Sequence, residues 1–358
     1  MSLASPGQPI PLTVLTGFLG SGKTTLLNNL LRDPVVNGAL VLVNEIGETG
    51  LDHLLMEHVA GDVVALAGGC LCCTVRSDLI DTLEDLLARR DAGEIAFSRL
   101  VLETTGLADP VPVLHSLIVH PYLSLRIALD GVITTVDAVV GARTLDEHEE
   151  ARRQAALADR IVLTKTDLLE AQASSAELAA RLDRLAPNAP RLDAAKGEAA
   201  APRLLDIAPF APGARKAAIA DWLAPGAADV SSHKGDIRTT TLWSEAALPP
   251  RAFGMFIDLL RSEHGPKILR LKGLVRTTDD PDRPVVIHGV QHMFHPPRRL
   301  SGWPDADRRT RIVLIGRDFD AELIQRLYDA IAGVPRLDTP DRSALVDNPL
   351  APPGLRRG

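Results

Sequence analysis

The chain has 358 residues, 46% of them hydrophobic and 24% charged, enough apolar material for a large buried core and more than one domain. A formal net charge of −7 argues against broad electrostatic attraction to nucleic acid or to an anionic membrane. No apolar run reaches the length of a membrane span, and residues 1–11 lack a charged and then apolar leader pattern, so a cytoplasmic location is expected.

Residues 12–15 form an apolar run that reads as a buried strand, and Leu26, Leu27, Leu30 and Leu31 give the segment from Thr25 onward one apolar helical face. Between them stands Gly17-Phe18-Leu19-Gly20-Ser21-Gly22-Lys23-Thr24, spaced G-x-x-x-x-G-K-T. Gly17 and Gly22 allow a tight turn that aims successive N–H groups, and a helix N-terminus, at nucleotide phosphates. Lys23 can reach the β and γ phosphates and the Thr24 hydroxyl can ligate Mg²⁺; Gly20, Ser21 and Thr25 complete the expected cradle. A Gly-rich turn that binds nothing is the bland alternative, and the strand-loop-helix context weighs against it.

Residues 39–43 read as a second buried strand, delivering NEIGETGLD (44–52) to the edge where ligands bind in open parallel sheets. Glu45 and Glu48 make this a candidate nucleotide-sensing segment, with a solvated acidic loop as the alternative. A third strand at 63–67 leads into GGCLCC, and residues 76–90 then carry a leucine stripe at helical spacing. Cys70, Cys72 and Cys73 are the only cysteines in the chain, too close together for a disulfide framework. Three thiolates on a strand-to-helix connection can hold Zn²⁺ or a related ion and leave a fourth position open; buried free thiols are the alternative.

The strand at 100–102 runs into ETTGLADP (103–110), where Glu103 can orient Mg²⁺ or its water and the Gly106 N–H can sense a γ-phosphate. A carboxylate serving only as a helix cap is the alternative. Strands follow at 132–136 and 161–163, the second ending in Thr164-Lys165-Thr166-Asp167. Asp167 is placed to accept from the N1–H and N2–H₂ of guanine while the Lys165 stem covers the base, a donor pair that adenine lacks. Residues 170–225, rich in Ala and Pro, read as helices and loops that complete the first domain, and 226–235 as a linker.

Beyond the linker, strands at 237–243, 268–277, 284–294 and 311–316 and helices at 251–263 and 320–331 predict a smaller α+β domain with a mostly antiparallel sheet. The whole is therefore expected to be α/β, a phosphate-loop domain with a mostly parallel sheet over residues 1–225, followed by the α+β domain over 236–335 and a flexible tail over 336–358. His288, His292 and His295 lie close together, but in a strand only 288 and 292 share a face.

Taken together, GFLGSGKTT, NEIGETGLD, GGCLCC, ETTGLADP and TKTD, in this order and spacing, resemble the CobW-type P-loop GTPases, the group that also contains the nickel-insertion GTPases. IHGVQHMFHPP and RIVLIGR resemble the same family's C-terminal domain, so the likeness covers nearly the whole chain. It implies a GTP-hydrolysing metallochaperone or metalloprotein activator, with GTP and Mg²⁺ at the phosphate loop and a transition metal, zinc or else Co²⁺ in cobalamin synthesis, on Cys70, Cys72 and Cys73. Lys23, Thr24 and Glu103 then act in catalysis, and Thr164, Lys165 and Asp167 form the guanine site. A client metalloprotein and a nucleotide-dependent homodimer are implied as partners. An ATP-dependent kinase or transferase and a non-enzymatic metal scaffold stay open. The sequence departs from the family at Thr164, where Asn is usual. It also has only His233 at 226–235, where many relatives carry a histidine-rich stretch.

Overall fold

The structure, a computed structural model, describes residues 9–44, 63–66, 74–169, 175–187, 189–205, 237–290, 293–294 and 297–334. In chain order these form β1 (Ile10–Gly17), α1 (Lys23–Leu31), β2 (Ala39–Asn44), β3 (Val63–Leu66), α2 (Thr74–Asp91), β4 (Arg99–Glu103), α3 (Val111–Val119), α4 (Leu123–Arg126) and β5 (Ile127–Asp137). They continue as α5 (Gly141–Glu147), α6 (Glu149–Leu157), β6 (Arg160–Thr164), α7 (Ser175–Leu185), β7 (Arg191–Asp193) and α8 (Ala201–Leu204). The second part holds β8 (Ile237–Ser244), α9 (Pro250–His264), β9 (Ile268–Val275), β10 (Val285–Val290), β11 (Met293–Phe294), β12 (Arg298–Arg299), β13 (Thr310–Arg317) and α10 (Ala321–Ile331).

The first seven strands make one all-parallel sheet in the order β3-β2-β4-β1-β5-β6-β7. Both faces are covered, which is why its strands read as unbroken apolar runs. In β2, Leu40 and Leu42 join one core with Leu83 and Leu87 of α2, whereas Val41 and Val43 join the opposite core with Leu26, Leu27 and Leu30 of α1. The chain leaves β1 toward one side for β2 and returns to its other side at β5, so the crevice at the C-terminal end of β1 is the switch point where such sheets bind ligands.

The second sheet is antiparallel, in the order β11-β10-β9-β13-β8, with β12 also paired to β10. One face packs against α9 and α10, where Phe256 meets Tyr328 edge-on at 5.2 Å. The other face meets the first sheet's layer: Val313 and Ile315 pack with Leu269, Ile237 and Ala156 of α6, while Ile312 and Leu314 point to the helices. A register shift between Ile315 and Gly316 leaves Leu269 as an extra residue in β9, a bulge that turns both Leu269 and Arg270 toward α6.

Two expectations need correction. Residues 284–294 are not one strand: β10 ends at Val290 and pairs antiparallel with β11, Val290 opposite Met293, while residues 291–292 lie outside the described residues. Apolar residues resume at Met293 and Phe294 after only Gln291 and His292, so the sequence reads as one continuing strand. Residues 170–225 are not only helices and loops, because Arg191–Asp193 adds a seventh strand beside β6. Three residues with one aliphatic side chain are too short for a period to emerge. Residues 206–236 and 335–358, which hold the expected linker and tail, lie outside the described residues.

Candidate functional site

The C-terminal ends of β1, β4, β5, β6 and β7 gather the polar residues of the first sheet onto one rim. At β1 the backbone must turn sharply over β5: Gly17 has φ 147°, and a Cβ there would sit 2.3 Å from Thr135 Oγ1 and 2.5 Å from the Thr135 carbonyl. Gly20 and Gly22 take left-handed φ of 70° and 86°, which side chains disfavour. The loop is pinned from within, Ser21 N–H donating to the Phe18 carbonyl at 3.1 Å and Ser21 Oγ meeting Thr135 Oγ1 at 2.7 Å.

Lys23 and Thr24 open α1. No side chain caps this helix and no acidic residue occupies its first turn, so its N-terminal amides and positive dipole end face the crevice. The buried Lys23 side chain reaches across the loop, its Nζ donating to the Phe18 carbonyl at 3.1 Å. Thr24 Oγ1 donates to Glu103 Oε1 at 2.9 Å, bringing together two residues 79 positions apart in sequence. Glu103 is buried at the end of β4. Beyond it, Thr104 N–H bonds the Leu15 carbonyl at 2.9 Å and Thr104 Oγ1 bonds Thr16 Oγ1 at 2.8 Å, so the β4 turn is laced to β1. Gly106 then passes so close that a Cβ on it would lie 2.7 Å from the backbone nitrogen of Leu19. The turn and the phosphate loop therefore touch backbone to backbone.

At the end of β6, Thr164 Oγ1 donates to the Ser21 carbonyl at 2.8 Å, and its methyl lies 3.3 Å from where a Gly22 Cβ would stand. Lys165 takes a left-handed φ of 58° and its Nζ pairs with Asp137 Oδ2 at 2.6 Å. Asp167 is exposed at the mouth of a cavity of about 410 Å³ lined also by Ala138, Leu163, Thr166, Asp193 and Lys196. Asp193 Oδ1 accepts from Thr166 Oγ1 at 2.5 Å and from the Ala195 N–H at 3.0 Å, which joins the turn after β7 to the TKTD turn. Burial works to raise the Asp193 carboxyl, but the Thr166 hydroxyl and Lys196 outweigh it and hold the group below its ordinary range.

The structure thus brings Gly17, Gly20, Ser21, Gly22, Lys23, Thr24, Glu103, Gly106, Thr164, Lys165 and Asp167 to one rim, with Thr25 exposed beside them. Glu45, Glu48, Cys70, Cys72 and Cys73 lie outside the described residues; the cysteines fall between the end of β3 at Leu66 and the start of α2 at Thr74. His288 is in β10 opposite Lys272, while His292 and His295 are outside the described residues. Three residues escape a sequence reading. Asp137 stands at the end of an apolar strand, a signal that could have found it; Asp193 follows a single aliphatic residue, and Thr135 is one hydroxyl inside a strand, neither of which is a signal.

Two oxygen donors 2.9 Å apart beneath a helix N-terminus suit a hard cation such as Mg²⁺, and the glycine cradle with Lys23 suits phosphate oxygens. Residues 11–193 match the family model described as the CobW/HypB/UreG nucleotide-binding domain, and residues 237–332 match the cobalamin synthesis protein cobW C-terminal domain. The chain is 33% identical over 322 residues to the zinc chaperone YjiA of Escherichia coli, covering 90% of this chain and 98% of that protein. It is 31% identical to the zinc chaperone CobW of Pseudomonas aeruginosa, covering 90% and 92%. The crystal structure of Zn(II)-bound YjiA GTPase from Escherichia coli superposes with a TM-score of 0.62 at 28% identity, covering 92% of this chain and all of that one.

Proposed function

The chain belongs to the CobW/HypB/UreG family, and we propose that it is a GTP-hydrolysing metallochaperone or metalloprotein activator whose cargo is zinc. The observation that carries the nucleotide half is the Thr24–Glu103 contact at 2.9 Å below an uncapped helix whose first residue is Lys23. Near-full-length likeness to proteins named zinc chaperones, with three cysteines clustered between β3 and α2, supports the metal half.

In this reading the α1 amides and Lys23 hold the β and γ phosphates, Lys23 exchanging the Phe18 carbonyl for phosphate oxygen. Thr24 and Glu103 hold Mg²⁺, which when bound neutralises charge on those phosphates. Hydrolysis joins a water oxygen to the γ-phosphorus and breaks the bond to the β–γ bridging oxygen, giving GDP and inorganic phosphate. Gly106 N–H addresses the γ-phosphate, Asp167 reads guanine, and Glu45 or Glu48 orients the water. Cys70, Cys72 and Cys73 carry the metal, and the protein acts in the cytoplasm on a client metalloprotein, as a nucleotide-linked dimer. The phosphate-loop domain spans 1–225, joined by 226–235 to the C-terminal domain at 236–335, with a tail at 336–358.

The test measures GTP turnover and metal content of the purified protein with GTP, with GDP and without nucleotide, beside Lys23→Ala and Cys72→Ser. Lys23→Ala is expected to abolish turnover with the fold intact, and Cys72→Ser to weaken zinc binding. If GTP tightens zinc, zinc must tighten GTP by the same factor. Zinc affinity indifferent to nucleotide would sink the coupling, ATP preferred over GTP would favour a kinase or transferase, and bound cobalt in place of zinc would move the cargo.

A further inference from the structure

Helix α6 touches the nucleotide rim and the second sheet at once. Its nine residues extend about 13 Å at 1.5 Å per residue, from Glu149 to Leu157. Toward the rim, the Gln154 side chain, fully buried, donates through Nε2 to the carbonyls of Gly106 at 3.2 Å and Ala108 at 2.9 Å. Its Oε1 is buried with no hydrogen-bond partner among the described residues, so the amide is committed to holding that turn. One residue away, Arg153 donates to Asp109 Oδ2 at 2.7 Å and to Glu149 Oε1 at 2.7 Å. The same Glu149 oxygen accepts from Arg317 Nη1, at the end of β13, at 2.7 Å. Asp109 is no loose end: its Oδ1 accepts from the Val111 N–H at 3.0 Å and so fixes the first turn of α3.

We propose that Arg317 of the second sheet is a positioning residue for the nucleotide site, holding the Gly106–Ala108 turn through the alternating chain Arg317, Glu149, Arg153 and Asp109, with Gln154 as the clamp on the turn itself. Each link is charge-assisted, the first two share Glu149 Oε1 and the last two share the planar Arg153 guanidinium, so shifting one member re-aims the next. Isolated surface pairs contribute little. This chain differs in that it joins two sheets and ends on a turn in backbone contact with the phosphate loop. Two arrangements of the turn, with the γ-phosphate present or absent, would favour different placements of Arg317, and occupancy of the second sheet's far surface would feed back on the nucleotide by the same path.

The junction does not depend on this chain for its integrity. Asp159 with Arg270 and Lys272, and the packing of Ala156 against Ile237, Leu269, Val313 and Ile315, hold the two sheets together. Removing Arg317 should therefore loosen the turn without undocking the second sheet.

The proposal rests on the GTPase reading, so its test has one arm independent of turnover. In nucleotide-free Arg317→Ala, backbone amides at 104–109 are expected to exchange faster than in the parent protein by about 2- to 30-fold, the range of coupling effects along such networks. Arg317→Lys, which keeps the charge, should restore most of the protection. In GTP turnover, Arg317→Ala lowers kcat over the same range with KM little changed. Asp109→Asn, which keeps the Val111 bond and loses the Arg153 pair, does likewise, and the double variant is no worse than the poorer single one. Unchanged exchange at 104–109 in Arg317→Ala, or losses that multiply in the double variant, would overturn the proposal. A parent protein that fails to hydrolyse GTP would instead remove the functional reading, and the exchange arm would still decide the relay.

Discussion

Thr164 occupies the position where the family usually has Asn, and what its hydroxyl does explains how the change is tolerated. It donates to the Ser21 carbonyl at 2.8 Å and so latches the phosphate loop to the end of β6, a task that needs one donor and no amide. Thr164→Val keeps the shape and removes the donor. It should weaken GTP, GDP and ATP binding alike by about 1 kcal/mol, the usual net value of one hydrogen bond, leaving the ratio between guanine and adenine nucleotides unchanged. Isothermal titration with the three nucleotides measures this, and a selective loss of GTP would place Thr164 on the base instead. At this scale much of the site is legible in the sequence, because phosphate loops use invariant spacings imposed by backbone geometry. Thr24 meets Glu103, and Gly17 passes where a side chain would collide with Thr135. Asp193 and Gln154 are not legible, because their roles come from tertiary approach: one is brought to Thr166 by a three-residue strand, the other to Gly106 by a helix crossing 48 positions later.

The element that most shapes the junction is β9, which carries Arg270 and Lys272 against Asp159 at the entrance to β6. All three are buried, at 3%, 5% and 1% exposure, and Arg160, at 5%, adds a further buried cation. Arg270 also donates to the Leu157 carbonyl at the end of α6. Burial alone would raise Asp159, but Arg270 and Lys272 overcome it and hold the carboxyl at about 2. Burial lowers Lys272 to about 8 against the pull of Asp159, and the neighbouring positive charges of Arg270 and Arg160 push it the same way. Asp159→Asn removes the carboxylate that Arg270 and Lys272 both pair with and should destabilise the protein by about 3–5 kcal/mol. Lys272→Met leaves the Asp159–Arg270 pair intact and should be within about 1 kcal/mol of the parent protein. Denaturant titration separates the two, and a large loss in Lys272→Met would mean that the lysine is required to balance Asp159.

The pH dependence of the same group follows from the direction of each shift. Asp159 is depressed on folding, so its contribution is complete above its ordinary value of 3.8 and is lost as pH falls toward 2. Lys272 is also depressed, so between about 8 and 10.5 the unfolded chain binds the extra proton and stability rises with pH. Unfolding curves at pH 8 and pH 10 should show that rise in the parent protein and a flatter response in Lys272→Met. From the sequence, β9 is legible as a strand because its aliphatic residues dominate, but nothing in that pattern announces that Arg270 and Lys272 are buried. They are buried because the covering layer is α6, more than a hundred positions earlier in the chain.

Over the whole molecule, seven parallel strands give one rim for ligands, and the antiparallel sheet is fastened to the helix that runs from that rim to the opposite end of β6. Attachment is at two heights, Arg317 to Glu149 near the rim and Arg270 with Lys272 to Asp159 at the other end. A body held at one point can swivel, whereas one held at two must shift as a unit with α6 or break a contact. The order of synthesis gives this a further meaning. The ribosome releases β6 long before β9, so the nascent first sheet carries Asp159 and Ala156 at a surface whose partners do not yet exist. Until Ile268–Val275 emerges, the Asp159 carboxylate has the Val132 N–H, at 2.8 Å, but neither β9 cation, and Ala156 lacks its covering strands. The first sheet thus has an unfinished flank until then, and the second sheet acts as its own late-arriving subunit, closing that flank only after β9 has followed β6 out of the ribosome.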